Sequence, residues 1–451
     1  MSRETEDRCF FSLRRIGRSH PLRGLFPVLG WLAIAGFALV PPGATAFGAS
    51  GYLKPAVTAE SLKKAEGYHQ DGVELYRRRK YRAALRKFMA AQRVCPELFS
   101  AGYHVALAYR KMGNEDAAAA QLKKLNTSFP ENIIAHNDLG VMYAGKSKEE
   151  SDLLALLEFA VAVRNGENLL QGKEKKIPQV RVDLAMAYAN VGALQLKSSK
   201  LASAEKSFRK AIEHHPPGFF GHFGLGNVLF AMKRFGEAKT AYRSAQEIEP
   251  GNDNVHVALA KCYLFSSDRS PRFAIAELKK VDAEAPPADV FDLLGDAYAL
   301  LGNSDEAIRS YTRHLTLPEH KPQALYKLGV LYYNRGDRKQ AKTYLQEFVA
   351  EARGDQEGAL PTAYKLLGDI STEEKDYEAA VEAYLQGSKL RDAYFSCYYG
   401  LADSYFHLKQ YEKAKEYLLL VLKGVPRNGS AQENQLRGKA SSLLKKLPSR
   451  E

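Results

Sequence analysis

The sequence predicts an all-α chain, a right-handed α-solenoid superhelix of about ten helix-turn-helix repeats. Three observations lead there. Leu225, Gly226, Leu229, Ala238, Tyr242, Ala245 and Pro250 form a spacing that recurs from Ala65 to Pro96, where Asp71, Gly72, Leu75, Ala84, Phe88, Ala91 and Pro96 hold the same places. Gly226 and Ala238 are small where two antiparallel helices must approach, and Leu225, Leu229 and Tyr242 are large where the space between them must be filled. Pro250 cannot continue a helix and stands where the second one must stop. One such helix pair cannot bury its own apolar faces, so the pairs stack and leave long concave and convex surfaces.

The unit is 34 residues long, and in length and pattern it resembles the tetratricopeptide repeat family over roughly residues 60 to 430. The resemblance implies a scaffold that binds protein partners and carries no catalytic centre or cofactor. Among similar exported repeat proteins it implies assembly of envelope machinery such as pili, secretion channels or polysaccharide synthesis.

The chain opens with Arg3, Arg8, Arg14, Arg15, Arg18 and Arg23 against Glu4, Glu6 and Asp7, and no further charge appears before Lys54. An apolar stretch, residues 25 to 40, leads to Pro41-Pro42-Gly43 and the small-residue site Ala44-Thr45-Ala46. Residues 1–46 therefore read as a signal peptide or an uncleaved membrane anchor. The sixteen apolar residues fall a little short of the roughly 20 of a spanning helix, and both readings place the repeats across the membrane, in a bacterial periplasm or envelope. Residues 47–64 read as a linker.

The whole chain carries a formal charge of +13; the leading segment takes six basic and three acidic residues with it, leaving an excess of ten. That excess is scattered over Arg77-Arg78-Arg79-Lys80, residues 173–176 and Lys445-Lys446 instead of forming one stripe with aromatic residues, which argues against nucleic acid. Binding of an acidic envelope polymer or lipid is the alternative reading of the basic surface, and service as an auxiliary subunit of an envelope enzyme is another. Cys9, Cys95, Cys262 and Cys397 lie far apart along an array, so no disulfide is expected.

The repeats follow in order. The first two keep full spacing, with Ala106, Ala118, Leu122 and Pro130 marking the second. The third opens with Leu139, Gly140 and Tyr143 and has three extra residues before Ala155. The fourth reads as Leu184, Ala185 and Tyr188 with about seven extra residues before Ala204, so residues 144–203 are the irregular part. Regular units return from the fifth onward, through Gly295, Gly329 and Gly368 to Ala402 and Pro426. Residues 431–447 read as a capping helix over the last apolar face, closing an array of 65–430.

No phosphate loop, zinc-protease helix or nucleophile elbow is present, which points away from an enzyme. His214, His215 and His222 cluster, but His222 shares its register with His136 and His256, so packing is expected rather than a metal. The expected partner-binding groove is the outward stripe of each first helix. It comprises His69, Tyr76, Tyr103, Arg110, Asn137, Phe220, Phe223, Asn227, Phe230, Lys261, Asp296, Tyr326, Tyr333, Asp369, Tyr399 and Asp403, aromatic and polar residues suited to an extended peptide or a helix. Phe223 stands where chaperone-binding members of the family carry a lysine, so the terminal-carboxylate clamp of that subset is not expected.

Overall fold

The computed structural model describes residues 57–146, 148–171, 178–282, 286–287, 289–317, 322–353, 358–391, 394–426 and 429–448. The segment 1–46 lies outside them. The described residues are helical throughout, and no strand occurs among them. The chain divides into two compact units, Met1–Ser267 and Asp268–Glu451.

The first unit holds five complete helix pairs and one further helix. In order these are α1 (Ala59–Arg77) with α2 (Tyr81–Val94), α3 (Phe99–Lys111) with α4 (Glu115–Ser128), α5 (Ile133–Ala144) with α6 (Glu149–Gln171), α7 (Pro178–Lys197) with α8 (Leu201–His214), α9 (Phe219–Ala231) with α10 (Phe235–Ile248), then α11 (Asp253–Phe265). The second unit begins with α12 (Pro271–Leu278). It continues with the pairs α13 (Asp289–Leu300) and α14 (Ser304–Leu315), α15 (Gln323–Arg335) and α16 (Arg338–Glu351), α17 (Leu360–Glu373) and α18 (Tyr377–Leu390), and α19 (Phe395–His407) and α20 (Tyr411–Gly424), followed by α21 (Ala431–Lys445). α1 opens inside the stretch read as linker, where the Thr58 side chain accepts from the backbone N–H of Ser61 at 3.2 Å.

Close approach sets the pairing. A Cβ on Gly226 would lie 2.5 Å from the Tyr242 ring, so the ring of the second helix rests directly on the backbone of the first. In eight of the pairs the turn needs one residue in the left-handed region, and it falls seven positions after the small residue. Gly113, Gly302 and Gly336 meet that need, whereas Arg79, Ser199, Lys233, Lys375 and Lys409 adopt φ between 57° and 64° with a side chain attached.

That register corrects the fourth repeat. Ser199 is its left-handed residue and Gly192 is the small residue on which the Phe208 ring rests, 2.9 Å from a would-be Cβ. Spacing from Gly192 to Ala204 is regular, so no residues are inserted there. The excess lies earlier, in lengthened helices: α7 begins 14 residues before Gly192, where α9 begins seven before Gly226. α6 likewise runs nine residues past Ala162, where α10 ends three past Ala245. The extensions pack on each other through Gly166 and the fully buried Leu184, which explains why Leu184 and Ala185 imitate a repeat start.

In the first unit successive first helices touch, α5 with α7, α7 with α9 and α9 with α11, while the second helices are spread more widely. The first helices therefore line its inner face. Joints between repeats recur too. The Nε2 of His136, His222 and His256 donates to the carbonyl of Pro130, Pro216 and Pro250 at 3.1, 2.8 and 3.0 Å, tying each first helix to the end of the preceding pair. This accounts for His222 by packing. Among the described residues no group of three or more His, Cys, Asp or Glu is placed to hold a metal. Cys95, Cys262 and Cys397 are buried and free.

Candidate protein-binding faces

On the inner face of the first unit, several residues expected to meet a partner are already engaged. His69 is buried, with Nε2 3.2 Å from Nδ1 of His104; burial first, and then the neighbouring imidazole, hold it down at a pKa of about 4. Tyr103 is buried and its hydroxyl donates to Asp138 Oδ2 at 2.6 Å. Asn137 is buried and accepts from the Asn190 amide at 2.9 Å. Phe223 stacks on Phe219 with ring centroids 5.3 Å apart and meets Tyr242 at 5.6 Å, which makes it a core ring. Asn227 is buried and accepts from the Tyr242 hydroxyl at 2.7 Å.

The remaining members are half-buried. Tyr76 meets Tyr81 edge-on at 5.2 Å, and Arg110 Nε lies 4.0 Å from Glu115. Phe220 and Phe230 stand at opposite ends of α9, each edge-on to a neighbour, Phe219 and Phe235, at 5.3 Å. Lys261 lies eight residues, a little over two turns, into the following first helix, α11.

The first helices of the second unit carry ion pairs. Lys327 Nζ lies 2.8 Å from Asp292 and 2.7 Å from Asp296, and Asp296 also accepts from the Tyr311 hydroxyl at 2.6 Å. Asp369 accepts from Tyr384 at 2.8 Å and Tyr333 at 3.3 Å, and pairs with Lys365 one turn before it on α17. Arg338 lies over the Tyr333 ring, 4.1 Å from its centroid. Tyr326 meets Phe348 at 5.3 Å. Tyr399 and Asp403 differ from these. They sit one turn apart on α19, half-buried, and Asp403 has no hydrogen bond among the described residues. Burial pushes its carboxyl up, against the pull of His407, Lys446 and Lys439.

Helical spacing alone does not single out the position two residues before the small residue, which is polar in several repeats and apolar or glycine in the others. It holds His104, Asp138, Asn190 and Lys327, each a polar group within a largely apolar helix, and that contrast was the available signal. The extension of α7 adds Asp183, which accepts from Gln179 at 2.8 Å and lies near enough to Asp138 to be repelled by it. Burial raises the carboxyl of Asp138 to about 6 and that of Asp183 to about 7.

Comparison with known proteins follows the same pattern. Family models, each described as tetratricopeptide repeat, match residues 100–132 and 323–354, 290–323, 361–394 and 395–423, and 192–253. A TPR repeat-containing protein of Methanocaldococcus jannaschii is 22% identical over 228 residues, covering 48% of this chain and 40% of its own. The human protein O-mannosyl-transferase TMTC3 is 23% identical over 390 residues, 84% of this chain and 41% of its own. The chain thus spans less than half the length of the curated relatives it matches. Among solved structures, Pseudomonas aeruginosa pilF aligns at 20% identity over 48% of this chain and 96% of that one, with a TM-score of 0.42.

Proposed function

This chain belongs to the tetratricopeptide repeat family, and from that premise we propose that it is a non-enzymatic scaffold holding protein partners on its first-helix faces across a cell membrane. Repeats of this family generally mediate protein–protein contacts. The observation that carries the reading here is the pair Tyr399 and Asp403. At the matching position of other repeats, Asn227, Asp296 and Asp369 are occupied by a tyrosine hydroxyl from the second helix. The tenth repeat has Leu418 in place of that tyrosine, and Asp403 keeps its acceptor oxygens open beside an aromatic ring. A half-buried carboxylate without a donor favours a partner that brings one, a basic or amide group flanked by apolar surface. Phe230, half-buried on α9, offers a comparable ring in the first unit.

The reading as a scaffold rather than a catalyst rests on the sequence, which carries no phosphate loop, zinc-protease helix or nucleophile elbow. Export rests on the basic, apolar and small-residue order of residues 1–46. Among the described residues no helix is long and apolar enough to cross a membrane, and the anchor reading rests on the apolar residues 25–40 of that leading segment. Its cleavage has a direct readout. Trp31 is the only tryptophan, so the processed protein emits from tyrosine alone.

Cross-linked affinity capture from intact cells, with mass spectrometry of the co-purifying chains, tests the function. The scaffold reading expects a recurrent protein set that is depleted by Asp403→Asn with Tyr399→Ala. Recovery of only lipid or polysaccharide, equally with wild type and variant, would move the function to the exposed basic surface at Arg77-Arg78-Arg79-Lys80 and Lys445-Lys446.

A further inference from the structure

The outward face of α6 carries more exposed leucines than any other second helix among the described residues, α20 following with Leu419 and Leu420. Leu153, Leu154 and Leu157 are 66%, 45% and 59% exposed, three leucines on one side of one helix. Leu153 and Leu157 correspond in register to Arg82 and Arg86 in the first repeat, Ala202 and Lys206 in the fourth, and Gly236 and Thr240 in the fifth. The fold of the repeat therefore does not ask for leucine there. Glu150 and Arg164 flank the patch, each seven residues, or about two turns, from Leu157, and both are exposed with no ion pair among the described residues.

We propose that two copies of this chain pair through this face, with α6 antiparallel to its counterpart and Leu157 at the twofold axis. The symmetry of the sequence about Leu157 selects a second copy as the occupant. In an antiparallel pair centred there, Glu150 of one copy meets Arg164 of the other, twice, and Leu153 meets Val161. A shallow crossing of about 20° keeps both ion pairs within reach two turns from the axis. The face is uncharged between these ends, so the apolar strip drives association and the charges fix its direction. Three leucines per copy fall short of the roughly 800 Å² per partner of a standard interface, so the dimer is weak and depends on concentration. The pairing uses a second helix and leaves the first-helix faces open.

Sedimentation velocity and light scattering of the isolated protein over a wide concentration range test this. The wild-type mass should rise toward twice that of the monomer, and Leu157→Glu should hold it at the monomer with unchanged helical circular dichroism. Glu150→Arg and Arg164→Glu should each raise the dissociation constant at least tenfold, and together restore it. If Leu157→Glu alters the fold, the charge reversals at exposed positions decide the matter. A wild-type chain that stays monomeric, association that survives Leu157→Glu, or reversals without effect would each overturn the proposal. So would a monomeric wild type whose leucines instead retain a foreign protein.

Discussion

The hydroxyl of Tyr242 lies 2.7 Å from Oδ1 of Asn227, joining the second helix of the fifth repeat to the first across a buried interface. Tyr311 and Asp296, and Tyr384 and Asp369, repeat this bond at the same fifteen-residue separation. Where Phe88 or Leu345 takes the place of the tyrosine, the partner position holds Val73 or Val330 instead. In these five repeats the two positions match, polar with polar or apolar with apolar, and Asp403 opposite Leu418 in the tenth breaks the match.

Tyr242→Phe should accordingly lower stability by about 1–3 kcal/mol, because it strands a buried amide whose Nδ2 already has no hydrogen bond. Combining it with Asn227→Val should recover most of that loss. A double-mutant cycle by chemical denaturation measures the coupling, and additive losses would contradict it.

Phe223→Ala removes a ring packed between Phe219 and Tyr242 and should cost about 3–5 kcal/mol, with loss of helical signal at lower temperature. Phe230→Ala, at a half-buried ring on the same helix, should cost clearly less in the same melting experiment. Equal losses would place both rings in the core.

Lys233→Gly should stabilise the first unit by about 0.5–1 kcal/mol. Lys233 holds φ at 60°, where a side chain crowds the backbone, and Gly113 already occupies the matching turn. Thermal denaturation of the single variant is sufficient, and a lowered midpoint would show that the lysine side chain makes a compensating contact.

Asp183 gives a pH signature. Its carboxyl titrates at about 7 in the folded chain and near the ordinary 3.8 once unfolded, so between those values the folded state binds the extra proton. Stability contributed through this group is therefore present at low pH and lost as pH rises through about 7. Asp183→Asn, which still accepts from Gln179, should be more stable than wild type at pH 8, on the order of 2 kcal/mol, and indistinguishable from it near pH 4. A constant difference across the range would refute the assignment.

The 34-residue spacing, the small residues at Gly226 and Ala238 and the terminating prolines were enough to determine an all-helical repeat array from the sequence. Each is a local steric rule that repeats along the chain. The fourth repeat escaped because two spacings competed: Leu184 and Ala185 look like a repeat start, and Gly192 is one. Only the contact of Gly192 with Phe208 chooses between them. For the binding faces, helical spacing places Tyr103, Phe223, Asn227 and Asp403 on first helices but does not say which polar atoms are already bonded. That depends on what the second helix or the next repeat presents opposite each one. Tyr242 opposite Asn227 closes one site and Leu418 leaves Asp403 open, because a hydrogen bond needs both partners in place and only the packed helices bring them together.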